Sequence, residues 1–395
     1  MRLRLLYLYR NLTRNILRTL LTCAGVALPI IIYVLSTAVI DGLNQFLDNS
    51  AKQLRLVTMH KTSFINPLPA GYRAKIESLD PTKRRITSVC GMRWIGGKIE
   101  DRPMPLSTLA VDVDTFPATF PDENLTEEEI AAWNRDRRAL VVGSATARQL
   151  GWKVGDRVTI NPSVPPYSPL EFNVVSTAPL ATDFVTNFFR MDYLEEELKK
   201  VTAPEGWTPD GWVTFFFVKC GTHADMDYFR MAIDELFARS PDETKTQDEK
   251  SFMTEFITQF FDLPTNLTIL AGVTIFVALM AAANTMSMNI RDRLNEIATL
   301  KSLGFGASTI FGLIQFESLA LCTIGGFIGA ALPYISFNYT PLRNFTVPVI
   351  QALDVRMIVC LESLVIAATI GVLAAVWPAW TGIRLKVVTA LRNLE

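Results

Sequence analysis

Four stretches without a single charged side chain constrain this sequence more than anything else in it. They cover residues 19–40, 263–290, 318–342 and 363–383. Each reaches the roughly 20 residues that an α-helix needs to cross the apolar core of a bilayer. Buried helices of soluble proteins rarely stay uncharged for so long, so the reading is a membrane protein with four spans. The apolar fraction of 49% agrees. The first run has a basic lead and a loose small-residue site at Ser36-Thr37-Ala38, yet it continues to Ile40 and exceeds a signal-peptide core. A retained span is expected.

A net charge of −1 hides a sided distribution. The first 20 residues carry Arg2, Arg4, Arg10, Arg14 and Arg18 and no acid. The loop after the second span adds Arg291, Arg293 and Lys301, and the tail adds Arg384, Lys386 and Arg392. Residues 41–262 hold 25 basic and 33 acidic side chains instead. Basic loops stay in the cytoplasm, so both termini and the 291–307 loop are expected inside and residues 41–262 outside. Arg10, Arg14 and Arg18 recur every four residues opposite Leu5, Leu8, Leu12, Ile16 and Leu20. That is an amphipathic helix in the inner headgroup layer.

The expected division is therefore a cytoplasmic amphipathic helix at 1–18, a first span at 19–40, an external domain at 41–262 and a second span at 263–290. A cytoplasmic helix and turn follow at 291–307, a third span at 308–332, a short outer loop at 333–358, a fourth span at 359–383 and a cytoplasmic tail at 384–395. The fold class is membrane α-helical plus an α+β external domain. In that domain β-α patterns at 55–90 and 212–238 flank a middle region, about 94–190, richer in strand patterns. The simplest architecture is a discontinuous α/β subdomain with a β-rich subdomain inserted. Residues 246–261 read as a helix entering the second span directly, and 41–54 as an outward extension of the first. Such stalks would transmit movement or simply support the domain.

Chemistry-bearing constellations are sparse. His60 and His223 are the only histidines, too few for a histidine metal site. No spacing suggests a Ser-His-Asp set or paired acids, so neither catalytic nor metal-binding residues are expected. Of five cysteines only Cys90 and Cys220 lie clearly outside the spans, and a single bridge between them stays open.

The segment "MNIRDRLNEIATLKSLGFGAS", residues 288–308, places charges at helical spacing between two spans. Leu294, Ile297, Ala298 and Leu300 form one apolar face, while Arg291, Asp292, Asn295 and Glu296 point mostly elsewhere. A short helix parallel to the membrane follows, offering its apolar face to a cytoplasmic partner, with Gly304 and Gly306 breaking it. A plain surface loop is the competing reading. Glu317 sits about two turns into the third span; an intramembrane carboxylate is costly, and pairing with an arginine or a headgroup is the favoured account. Gly325 and Gly329 make a GxxxG pair for close helix packing, against a second copy or a neighbouring span.

These residues resemble a known family. "NTMSMNIRDRLNEIATLKSLGFGASTIFGLIQFESLALCTIGGFIG", residues 284–329, is similar to the signature of MacB/FtsX-type permeases, the membrane subunits of type VII ABC transporters. The pattern is met by Arg293, Glu296, Ile297, Lys301, Gly304, Glu317, Gly325, Gly326 and Gly329. "YRNLTRNILRTLLTCAGV", "LVVGSATARQLGWKVGDRVTI" and the closing "PAWTGIRLKVVTALRNLE" resemble the family's start, external domain and tail, with Val388 where a proline is common. The resemblance implies a permease in the bacterial inner membrane, paired with a second copy or a related permease. It implies a cytoplasmic ATPase dimer docking at Arg291, Arg293, Leu294, Glu296, Ile297, Leu300 and Lys301. ATP-driven closure would then move the external domain by mechanotransmission, for export or for lipoprotein or lipid trafficking, with a periplasmic adaptor or cargo as further partner. The alternative is a regulatory permease acting on a periplasmic partner such as a cell-wall hydrolase. No G-x-x-x-x-G-K-[ST] pattern occurs, so ATP and Mg are expected on the ATPase and no cofactor on this chain. No nucleic-acid partner is expected.

Overall fold

The computed structural model describes residues 16–63, 65–99, 106–177, 186–201, 210–260, 262–340 and 354–384. The sequence readings on 1–15 and on 385–395 lie outside these. Two compact units divide the chain, Met1–Gly42 with Asp262–Glu395, and Leu43–Phe261.

Helix α1 (Ile16–Ala51) is one uninterrupted element of 36 residues, longer than the span expected at 19–40. In the Leu43–Phe261 unit it is followed by β1 (Arg55–His60), β2 (Leu68–Pro69), α2 (Tyr72–Glu77), β3 (Ile86–Trp94) and β4 (Thr108–Val111). Next come α3 (Phe116–Thr119), a 3-10 turn (Pro121–Glu123), α4 (Glu127–Arg135), β5 (Ala139–Val141), α5 (Ser144–Leu150), β6 (Arg157–Ile160) and β7 (Leu170–Ser176). The unit closes with β8 (Asn187–Arg190), α6 (Met191–Leu198), β9 (Trp212–Val213), β10 (Phe215–Cys220), α7 (His223–Phe237), β11 (Thr244–Asp248) and α8 (Glu249–Phe260).

Nine of these strands form one mixed sheet in the order β11-β1-β10-β3-β4-β8-β5-β7-β6. The flanking segments supply β11, β1, β10 and β3, and the inserted region supplies the other five. Insertion and host thus share a single sheet, joined where β3 pairs antiparallel with β4 through Met92 and Val111. Helices cover both faces. Leu56, Phe216 and Val218 point into a core with Ile76 of α2 and Phe229 and Ile233 of α7. Val57, Phe215 and Phe217 point into the opposite core with Phe116, Trp133 and Phe252. Side chains alternate across a strand, so a strand covered on both faces is apolar at every position. That accounts for the unbroken Phe215-Phe216-Phe217-Val218. Stacking of Tyr72 on Phe237, centroids 4.0 Å apart, pins α2 to α7.

Two local readings change. Residues 244–248, partly expected as helix, form β11, because Thr244 and Thr246 alternate inward and pair with β1. The entry to the second span is not a continuous helix either. α8 ends at Phe260, Asp262 has a non-helical backbone, and α9 (Leu263–Asp292) opens with Pro264 in its first turn, where proline's missing N–H costs nothing.

The other unit continues with α10 (Leu294–Ser302), α11 (Ala307–Tyr339) and α12 (Met357–Arg384). Among the described residues, four helices are long and apolar enough to cross a membrane. The outer loop expected from 333 begins later, since α11 runs through Pro333 to Tyr339. The bundle core is built from small and branched side chains: Val26, Ile30, Val34 and Ala38 of α1, Ala278 and Ala282 of α9, and Ala367, Ile370 and Ala374 of α12. Gly325 and Gly329 face α1 of the same chain; a Cβ there would lie 2.8 Å from the Cys23 carbonyl oxygen and 2.7 Å from that of Ala27. On its other side α11 meets α12 at Gly326, where a Cβ would stand 2.3 Å from that of Ala367. The GxxxG pair therefore closes an intramolecular contact, and small residues are what permit so near an approach.

Candidate coupling site

The 291–306 turn is built from one irregular residue and one glycine. Arg293 (φ −113°, ψ 17°) ends α9 and starts α10, so two helices meet at an angle set by a single backbone position. At the far end the amide of Gly304 donates to the Lys301 carbonyl and that of Phe305 to the Leu300 carbonyl. This is the paired closure that a left-handed residue after a helix creates, and Gly304 supplies it with φ +89°. Gly306 has φ −66°, open to any residue, and precedes α11 as its cap. Of the two expected helix breakers, Gly304 is the one whose conformation requires glycine.

The apolar face of α10 turns inward. Ile297 and Ala298 are buried, and Leu294 and Leu300 pack half-buried with Ile290 of α9 and Ile310 and Ile314 of α11. The expectation that Leu294, Ile297 and Leu300 project toward a partner is corrected here. A nine-residue helix is too short to hold itself together, and the nearest apolar surface belongs to the two helices it joins.

Polar contacts fix the same helix at both ends. The Arg293 guanidinium donates from Nη1 to Glu317 Oε2 at 2.8 Å and from Nε to Glu296 Oε2 at 3.0 Å. Asn289 Nδ2 donates to the other Glu317 oxygen at 2.9 Å. Both carboxylate oxygens of buried Glu317 are thus satisfied, which a buried charge requires. Glu317 pairs with Arg293, as the arginine-pairing account of this carboxylate anticipates. Lys301 Nζ donates to the Ile383 carbonyl in the last turn of α12, a favourable end for a cation. Arg293 and Lys301 therefore face their own chain; Arg291 is exposed and Glu296 half-buried. α11 and α12 are joined in turn by Ser318 Oγ donating to the Gly371 carbonyl at 2.7 Å.

What α10 offers outward is Asn295, Thr299 and Ser302, continued by Leu303 and Phe305, which are 71% and 47% exposed. Helical periodicity missed the last two because they follow the helix. The available signal was two large apolar residues alternating with Gly304 and Gly306.

Two family models match. That of the MacB-like periplasmic core domain covers residues 19–236, and that of the FtsX-like permease C-terminal covers 268–387. Among curated proteins, the macrolide export ATP-binding/permease protein MacB of Syntrophobacter fumaroxidans is 29% identical over 154 residues, 38% of this chain and 21% of that protein. MacB of Rhodopirellula baltica is 27% identical over 124 residues, 31% of this chain and 17% of its own length. The matched stretch thus spans about a fifth of those relatives. Among solved structures, the periplasmic region of MacB from Actinobacillus actinomycetemcomitans aligns at TM-score 0.33 and 10% identity, over 52% of this chain and 92% of that one. The extracellular domain of the transporter YknZ from Gram-positive bacteria aligns at TM-score 0.33 and 7% identity, over 49% and 99%. With more than half of its length matched by one family model and the region from α9 to α12 by the other, the chain belongs to the MacB/FtsX-type permeases, the membrane component of ABC transporters.

Proposed function

We propose that this permease sits in the bacterial inner membrane with both termini in the cytoplasm and converts ATP-driven movement of a cytoplasmic ATPase dimer into movement of the Leu43–Phe261 unit on the outer side. The observation that carries this is the anchoring of α10. Its N-terminal joint is held to α11 by Arg293–Glu317 and its last turn to α12 by Lys301, while Ile297 is buried against the adjoining helices. A force on α10 has no slack to take up before it reaches two spans. ATP and Mg act on the ATPase component. The curated relatives carry an ATP-binding part and a permease in one name, and this sequence has no phosphate-binding loop pattern. A second permease copy or a related permease completes the assembly, and its work is export or the trafficking of lipoproteins or lipids.

The docking surface is the outward side of α10 with Leu303 and Phe305 as apolar anchors, a revision of the inward-facing Leu294, Ile297 and Leu300. Interface energy concentrates in a few desolvated large side chains. Leu303→Asp and Phe305→Asp should insert and fold like the parent and lose ATPase in pull-down from detergent extracts. Ile297→Asp, by contrast, should lower the yield of folded permease. Parental ATPase recovery by both outward variants would sink the docking assignment.

A further inference from the structure

A buried charge cluster in the Leu43–Phe261 unit lies at the place where α1 and α8 are rooted. Arg55 stands four residues beyond the end of α1, and its side chain is fully buried. Glu249 is the first residue of α8 and is buried as well. Arg55 Nε donates to Glu249 Oε2 at 2.6 Å and Nη2 to Oε1 at 2.9 Å, a two-pronged contact. The same guanidinium reaches Asp122 in the 3-10 turn, with Nη2 to Oδ2 at 3.1 Å and Nη1 to Oδ1, and donates to the Thr119 carbonyl at 3.3 Å. Its flat face rests on the Phe120 ring, 4.3 Å from the centroid.

The neighbourhood reinforces this joint. Strands β1 and β11, which follow α1 and precede α8, pair antiparallel from Leu56 opposite Asp248 to His60 opposite Thr244. Lys219 Nζ donates to the Gln53 carbonyl, holding the link between α1 and β1 to strand β10. On the outside Lys250 Nζ lies 2.7 Å from Asp48 Oδ1, bridging the last turns of α1 to the first of α8.

A buried ionic cluster is a poor way to gain stability, because apolar residues of similar shape do as well. What a guanidinium fork adds is direction: two parallel bonds fix separation and rotation together. We propose that the Arg55–Glu249–Asp122 cluster is a positioning joint that locks the root of α1 to the root of α8, so that the two helices deliver one displacement to the sheet instead of two. The inference rests on the mechanotransmission reading for its purpose, while the locking itself is a property of the Leu43–Phe261 unit and is measured separately.

The test places spin labels at exposed Gln45 and Thr258 of the full-length permease, with native cysteines replaced, and reads the distance distribution by pulsed EPR. Three variants are compared with the parent: the shape-preserving triple Arg55→Met, Asp122→Leu, Glu249→Leu; the charge-preserving Arg55→Lys; and the surface control Asp48→Asn with Lys250→Gln. The parent and the surface control should give one narrow distribution. The triple variant and Arg55→Lys should give distributions at least twofold wider, with the circular dichroism of the folded protein retained. If the triple variant does not fold, Arg55→Lys carries the decision alone. An unchanged width in the folded variants overturns the joint. ATPase regulation is measured alongside, and both wide variants should lose it. A parent that exerts no regulation would refute the mechanotransmission reading, and the EPR widths would still decide the joint.

Discussion

Removing the Glu317 carboxylate tests the coupling site at its most stressed point. Glu317→Ala deletes the acceptor of both Asn289 and the Arg293 Nη1 group and leaves Arg293 with its Glu296 contact. The pair is neither fully buried nor free, with side-chain exposures of 10% for Glu317 and 16% for Arg293. Breaking a buried pair costs about 3–5 kcal/mol, and an exposed one about 0–1 kcal/mol. The geometry here, with two good bonds and low exposure, puts the single substitution at about 2–3 kcal/mol. Arg293→Ala should cost a similar amount, since it leaves the carboxylate with Asn289 alone. The double variant should cost about 1–2 kcal/mol less than the sum, because each single change has already lost the shared contact. Glu317→Gln keeps a carbonyl acceptor and should fall near 1 kcal/mol. The assay is a double-mutant cycle on reversible unfolding in mixed micelles, with ATPase binding and hydrolysis measured on the same preparations. Glu317→Ala should still bind the ATPase through Leu303 and Phe305 and yet fail to alter its hydrolysis rate. Additivity within about 0.5 kcal/mol would mean the two side chains are not energetically coupled, and the anchoring of α10 would lose its electrostatic half.

Four further outcomes are expected. Gly329→Val should lower stability in detergent by about 1–3 kcal/mol, since its Cβ would stand 2.7 Å from the Ala27 carbonyl oxygen, whereas Gly272→Ala, with open space around it, should be neutral or slightly stabilising. Burial pushes the Cys90 and Cys220 thiols up to about 12, so both stay protonated through pH 7–9 and should resist maleimide until the protein is denatured; rapid labelling of the native protein would contradict their burial. Residues 43–261 expressed alone should be soluble and give a mixed α/β circular dichroism spectrum, and a disordered spectrum would refute an independent core. With Ser168→Cys, at an exposed position between exposed Tyr167 and Pro169, membrane-impermeant maleimide should label intact spheroplasts, and labelling only after lysis would reverse the proposed orientation.

The spans were readable because a membrane helix declares itself residue by residue, without reference to any partner. Most strands were readable too, since Val158 and Ile160 or Phe172 and Val174 alternate locally. What periodicity could not supply was the identity of the covering surface. It located the apolar stripe of α10 correctly and assigned it to the wrong neighbour, because Ile290 and Ile310 lie on other elements. Gly325 and Gly329 announced a close approach without naming α1. The β11 segment, Thr-Lys-Thr-Gln-Asp, carries so little apolar character that its pairing with β1 was invisible. Arg55 looked like any basic residue after a helix. Its burial depends on Asp122 and Glu249, 67 and 194 residues away along the chain.

The single sheet also sets a timetable for synthesis. Strand β1 is completed by His60, but the partners on its two sides, β10 and β11, begin only at Phe215 and Thr244. At ribosomal rates of about 5–20 residues per second, that strand waits on the order of ten seconds or more with both edges unpaired. The inserted strands β4 to β8 emerge meanwhile and can pair among themselves, ahead of the segment that surrounds them in sequence. A nascent chain of this kind therefore presents an adhesive ribbon to its surroundings for more than a third of its production, which gives holdase chaperones a defined interval in which to act. Truncations ending before Phe215 should be the fragments most prone to aggregate.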